Sequence, residues 1–155
     1  MNNLLEIEEV DFGNTSSRQF LLGLMSAFEN RYQACADSYF KEITWKQYFT
    51  IICIRLCKEN PTINEIARLM GSSHQNVKQL LLKLEKRGYI TIIQDENDRR
   101  KQRIILTEDC KKFWKKYERG SERIIASIFE GIEEDQIMTT IQTIIKMQKN
   151  VNNLV

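Results

Sequence analysis

One proline and six glycines in 155 residues are too little punctuation for the many short strands of a β-sandwich, so long helices are expected instead. Apolar residues never run on for the roughly 18 positions a membrane span needs. The opening MNNLLEIEEV is acidic where a secretory signal would be basic and then apolar, so a cytoplasmic chain with no membrane partner is expected. A single histidine, His74, cannot assemble a nitrogen-rich zinc site within one chain. The sequence also lacks a nucleophile elbow and a glycine-rich phosphate loop, which argues against an enzyme and against a cofactor. The four cysteines (Cys35, Cys53, Cys57, Cys110) are scattered through helical patterns, and free thiols fit that spacing better than a disulfide framework. Cys53 and Cys57 share a helical face, a weak signal for a soft metal, and no metal site is expected.

What is present is the composition of an ordinary folded protein, 42% hydrophobic and 28% charged, at a length that suits one domain. The net charge of +2 is unevenly spread: residues 58–106 hold 10 basic and 6 acidic side chains, whereas residues 1–57 sum to −2 and residues 107–155 to zero. A basic middle is the electrostatic footprint that phosphate would select, although a solvated surface can produce it too.

Helix starts are marked with unusual regularity. Ser16 precedes Gln19 by three residues, Thr44 precedes Gln47, Thr62 precedes Glu65 and Ser72 precedes Gln75, and each pair can form a capping box. These place a first helix near 16–40, a second near 45–57 that is apolar almost all round and so central, a short third at about 63–70 ended by Gly71, and a fourth at about 73–87. The runs Tyr89–Ile93 and Arg103–Leu106 read as a β-hairpin with a charged tip, Asp95-Glu96-Asn97-Asp98-Arg99-Arg100-Lys101. A long amphipathic helix then runs from Thr107 to about Gly131, and a last one covers about 134–152. The expected fold is mainly α with a small β-hairpin wing: a winged helix-turn-helix core between N- and C-terminal helices.

The fourth helix turns Val77, Leu80, Leu81 and Leu84 to one side and amide and ammonium groups to the other, with Leu82 also outward and without an evident reason. Two short helices joined by a glycine turn, the second presenting such groups, fit a major groove, because Gln and Asn amides pair bidentately with adenine and Lys reaches guanine or phosphate. At the hairpin tip, guanidinium and ammonium groups could enter a narrow minor groove, with Asp98 holding an arginine in one rotamer. The plainer alternatives are a solvated helix face and a solvated turn.

At these residues the chain resembles the multiple-antibiotic-resistance-type (MarR) transcriptional regulators. The resemblance runs through Thr62 to Gly71, through Val77 to Leu84-Glu85-Lys86-Arg87-Gly88-Tyr89-Ile90, and most specifically through Asp98-Arg99-Arg100 and Ile104-Ile105-Leu106-Thr107, covering roughly residues 16–150. It implies a single domain with a DNA-binding lobe at about 44–107 and dimerisation helices at about 16–40 and 108–152. It also implies a DNA-binding set of Ser73, His74, Gln75, Asn76, Lys78, Gln79, Asp98, Arg99, Arg100 and Lys101. Within that set Arg100 would be the minor-groove arginine and Asp98 its orienting partner. The chain departs from the family at Ile92 and Ile93, where basic residues are frequent, and at Cys110, where glycine is common.

The resemblance implies a homodimer on a pseudo-palindromic operator, and the apolar stripes at both ends of the chain independently exceed what one small core can cover. It further implies a repressor released from double-stranded DNA by a small ligand or by thiol oxidation. Tyr39, Trp45, Phe49, Trp114 and Tyr117 are the residues that could wall a pocket for a small aromatic or phenolic effector, with core packing as the competing fate. Cys35 is the candidate redox residue, against buried packing. A winged-helix protein–protein adaptor without specific DNA binding is the alternative function.

Overall fold

The computed structural model describes residues 13–96 and 98–154, so Asn97 of the hairpin tip and the N-terminal MNNLLEIEEV lie outside the described residues. In chain order the elements are α1 (Ser17–Tyr39), α2 (Trp45–Leu56), α3 (Ile63–Met70), α4 (His74–Lys86), β1 (Ile90–Gln94), β2 (Gln102–Leu106), α5 (Glu108–Ile128) and α6 (Glu134–Asn152). They form two compact units divided between Lys111 and Lys112, inside α5. No helix among the described residues is long and apolar enough to cross a membrane.

Three of the four expected capping boxes form: Ser16 with Gln19, Thr44 with Gln47 and Thr62 with Glu65. The fourth does not. Gly71 adopts the left-handed conformation (φ 58°) that closes α3, and the Ser72 amide is drawn back to the Ala67 carbonyl at 3.0 Å. Ser72 therefore belongs to the end of α3. Ser73 takes the capping role on α4, its hydroxyl accepting from the Asn76 amide at 3.2 Å. The helix-turn-helix angle is thus set by one left-handed glycine and one serine cap.

In the first unit α2 is central, as its all-round apolar pattern predicts, packing on α1, α3, α4 and β2. Its buried residues include Tyr48, Ile51, Cys53 and Ile54, which join Ile66, Val77, Leu81, Leu84, Ile90 and Ile104 in one core. The start of α2 is also held from α1, where the Asp37 carboxylate accepts the Trp45 amide. β1 and β2 pair antiparallel with Ile90 opposite Leu106 and Gln94 opposite Gln102. A two-stranded hairpin alone is marginally stable in water. Here the Ile104 amide also donates to the Pro61 carbonyl at 2.9 Å, and Thr62 bridges Arg103, so the connection before α3 supplies a third rung. Thr107 fastens the far end: its hydroxyl donates to the Gly88 carbonyl at 2.6 Å and accepts the Cys110 amide at 3.2 Å, starting α5.

In the second unit, Phe113 and Tyr117 of α5 are buried and their rings lie 4.7 Å apart. α6 buries none of its residues, and Met138, Ile141, Ile145 and Val151 are exposed.

Candidate nucleic-acid interface

The candidate interface comprises α4 and the wing between β1 and β2. Ser73, His74, Gln75, Asn76, Lys78 and Gln79 are all exposed, while Val77, Leu81 and Leu84 anchor the opposite face of α4 in the core. The structure divides the exposed set into two flanks. His74 and Lys78, one turn apart, line a concavity of about 210 Å³ together with Arg100, Lys101 and Gln102 of the wing and with Thr62, Ile63 and Asn64 at the start of α3. Asn76 and Gln79 instead line a cleft on the other side, toward α1 and α2. Gln75 lies in neither lining.

The wing tip is ordered by carboxylates. Asp98 Oδ1 accepts the Arg100 amide at 3.1 Å and Arg100 Nε at 3.3 Å, and Asp98 Oδ2 lies 3.4 Å from Lys101 Nζ. The Arg100 amide first, then its guanidinium and Lys101, hold the Asp98 carboxyl below the usual carboxylate range. A depressed value means that this clasp is complete at neutral pH and is lost as the pH falls through it. Arg100 is 92% exposed, so its guanidinium is oriented by Asp98 yet open to an incoming anion. Arg99 is exposed, and its carbonyl accepts from the Gln94 side chain.

Two residues outside the expected set carry the wing. Asp95, read from the sequence as one more charge in the turn, is 7% exposed. It accepts the Asp98 amide at 2.8 Å and Arg103 Nε at 2.5 Å. Arg103 also donates to the Asn60 carbonyl at 3.0 Å and lies 3.7 Å from Glu65, whose carboxyl is held low chiefly by the Thr62 amide. The wing base and the start of α3 are thereby one hydrogen-bonded unit. Asp95→Ala is expected to lower stability in urea or thermal denaturation, because a part-buried guanidinium contact and the Asp98 amide lose a buried acceptor. Asp98→Ala, at the exposed tip, should leave the denaturation midpoint almost unchanged.

The aromatic residues distribute unevenly. Trp45 and Phe49 stack at 5.7 Å and 16°, and both line the cleft that Asn76 and Gln79 face, a space of about 670 Å³. The sequence reading missed its other walls: Phe28 and Tyr32 from α1, Met70 and Leu80. Tyr32 meets Trp45 edge-on at 4.6 Å, and burial is the main cause pushing its phenol above the ordinary value, so it stays protonated. Tyr39 is not among the lining residues and packs edge-on against Phe40 at 5.1 Å. Trp114 donates to Glu118 at 3.3 Å, one turn along α5, and Tyr117 packs with Phe113. Of the four thiols Cys35 is exposed, whereas Cys53 and Cys110 are buried and burial pushes both up to about 11. No group of three or more metal-ligating side chains occurs among the described residues.

Residues 43–101, which contain α2, α3, α4, β1 and the wing tip, match the family model described as MarR family. That stretch is similar to the MarR family. Over 67 residues it is 37% identical to YfiV of Bacillus subtilis (strain 168), described as an uncharacterized HTH-type transcriptional regulator, a match spanning 43% of this chain and 42% of that relative. Among solved structures the fold is similar to a MarR protein from Peptoclostridium difficile DA00132, with a TM-score of 0.80 at 18% identity over 93% of this chain and 94% of that one. It is also similar to MepR of S. aureus, solved as a DNA complex, with a TM-score of 0.72 at 21% identity over 82% of this chain and 95% of that one. At such identities the likeness is one of fold, and that fold is the winged helix-turn-helix expected from the sequence.

Proposed function

We propose that the chain is a sequence-specific transcriptional repressor that binds double-stranded DNA as a homodimer. One observation carries this reading: the recognition-helix flank of His74 and Lys78 and the wing cations Arg100 and Lys101 face one shared concavity, so a single phosphate backbone can meet both. The fold-mate MepR, solved with DNA, supports the same use of the winged helix. Dimerisation rests on apolar side chains that the described chain leaves exposed, among them Leu22 and Leu24 on α1, Phe129 beyond α5 and Ile141 and Ile145 on α6. Faces of that size call for cover. A two-fold dimer presents its α4 helices to successive major grooves about 34–36 Å apart, which calls for a pseudo-palindromic site.

Release is assigned to a flat aromatic or phenolic ligand in the Trp45–Phe49 cleft, whose volume suits a small molecule. Because Asn76 and Gln79 line that cleft, a ligand there touches the recognition helix itself. Oxidation of the exposed Cys35 is the alternative trigger.

Titrating salt against binding to a random-sequence duplex tests the DNA reading. A contact with several phosphates should lose affinity steeply, with a log–log slope of about −0.9 per phosphate neutralised. A protein–protein adaptor would show no duplex binding to titrate.

A further inference from the structure

Leu82 is an anomaly on α4. It is 43% exposed and lies on the helix face opposite the buried Val77, Leu81 and Leu84. At 100° per residue it falls about 20° to one side of Gln75, with Gln79 about 40° to the other, so the three form one outward stripe. Lys78 and Lys83 flank that stripe and Lys86 ends it. No arginine occurs from Ser72 to Lys86, and the one carboxylate, Glu85, is turned to the wing, where it accepts the Ile92 amide at 3.2 Å. The stripe therefore offers amides and one aliphatic group inside a ring of ammonium groups.

That chemistry selects an occupant. The ammonium ring favours a polyanion, and the stripe lacks the guanidinium fork that most often reads guanine. Amides pair bidentately with adenine N6 and N7, and in the major groove thymine alone among the four bases carries an apolar group, its 5-methyl. Gln75 and Leu82 are seven residues apart, about 10.5 Å along the helix axis, which matches about three base-pair steps. We propose that α4 reads A·T base pairs, with the Gln75 and Gln79 amides directed to adenine and Leu82 packed on a thymine 5-methyl group as a specificity-determining contact. This rests on the DNA-binding reading above and goes beyond it by naming the bases read and giving Leu82 its role.

The test begins with duplexes selected from a randomised library by the full-length protein. Each thymine of the selected half-site is then replaced by deoxyuridine, which keeps the hydrogen-bonding pattern and removes only the methyl, and binding is followed by fluorescence anisotropy. The unaltered protein should select A·T pairs under α4 and lose about fourfold per half-site at one thymine position, the scale of one buried methyl. Leu82→Ala should bind more weakly and be indifferent to that replacement; its melting temperature should match the parent, because the side chain it loses is on the surface. The inference is overturned if no thymine shows a methyl effect, if Leu82→Ala retains the effect, or if the selected half-sites are G·C throughout. The uridine scan on the unaltered protein decides the point without any variant. Failure to bind any duplex would be a different result, removing the regulator reading and this inference with it.

Discussion

A chain ending at Glu133 is expected to lose its dimeric state and to hold a palindromic duplex on the order of 10²–10⁴-fold more weakly, since the second half-site no longer benefits from the first. The truncation removes α6, whose residues Ile137, Ile141, Ile144 and Ile145 recur at helical spacing and of which none is fully buried in the single chain. A helix with so much unburied aliphatic surface contributes little by its own propensity, and most helical stability comes from packing an apolar face. In the proposed dimer the partner copy covers it. Sedimentation and anisotropy on the full-length and shortened chains measure both effects together. A shortened chain that remains dimeric, or that keeps full affinity for a two-half-site duplex, would remove the assignment of α6 to dimerisation.

The wing supplies the second large effect. Arg100→Ala should weaken binding to a cognate duplex by about tenfold to a hundredfold, the scale of a lost charge-assisted contact. Asp98→Ala should also weaken it, by less. Charge counting alone gives opposite signs for the two, because removing Asp98 makes the tip more positive and should tighten the hold on a polyanion. The geometry predicts the same sign, since Asp98 holds both the Arg100 amide and Arg100 Nε, and without it the guanidinium is present but unheld. Asp98→Asn keeps an acceptor for the amide and should fall between the parent and Asp98→Ala. Arg99→Ala should have the smallest effect of the arginine changes. Anisotropy at two salt concentrations, on one cognate and one random duplex, separates these cases. Tighter cognate binding by Asp98→Ala would leave the tip as a diffuse positive patch.

Helix ends were legible because they are encoded locally: three N-caps sit on the residues that the Ser/Thr-x-x-Gln/Glu spacing indicates. The exception, Ser73 in place of Ser72, arises where two local signals overlap, the left-handed closure of α3 claiming the first serine. Outward placement of Gln75, Lys78 and Gln79 was likewise legible from periodicity. The Asp95–Arg103 pair was not, because its partners are eight residues apart and meet only once the hairpin register is set, and a carboxylate in a charged turn looks the same whether solvated or buried. The cleft was half legible. Trp45 and Phe49 lie one turn apart on α2, but Phe28 and Tyr32 come from α1 and reach the cleft only through the packing of α1 on α2.

The rung between Ile104 and Pro61 has a consequence for motion. Hairpins at protein surfaces commonly open by themselves, exchanging their amide protons long before the rest of the domain unfolds. Here β2 is paired on both sides, to β1 and to the connection that starts α3, and Arg103 adds side-chain ties to the same connection. Parting the strands means undocking the entrance to the helix-turn-helix as well. The wing base and the start of α3 are therefore expected to open as one cooperative unit, leaving the few residues around Arg99 and Arg100 as the part of the wing that can adapt to a groove.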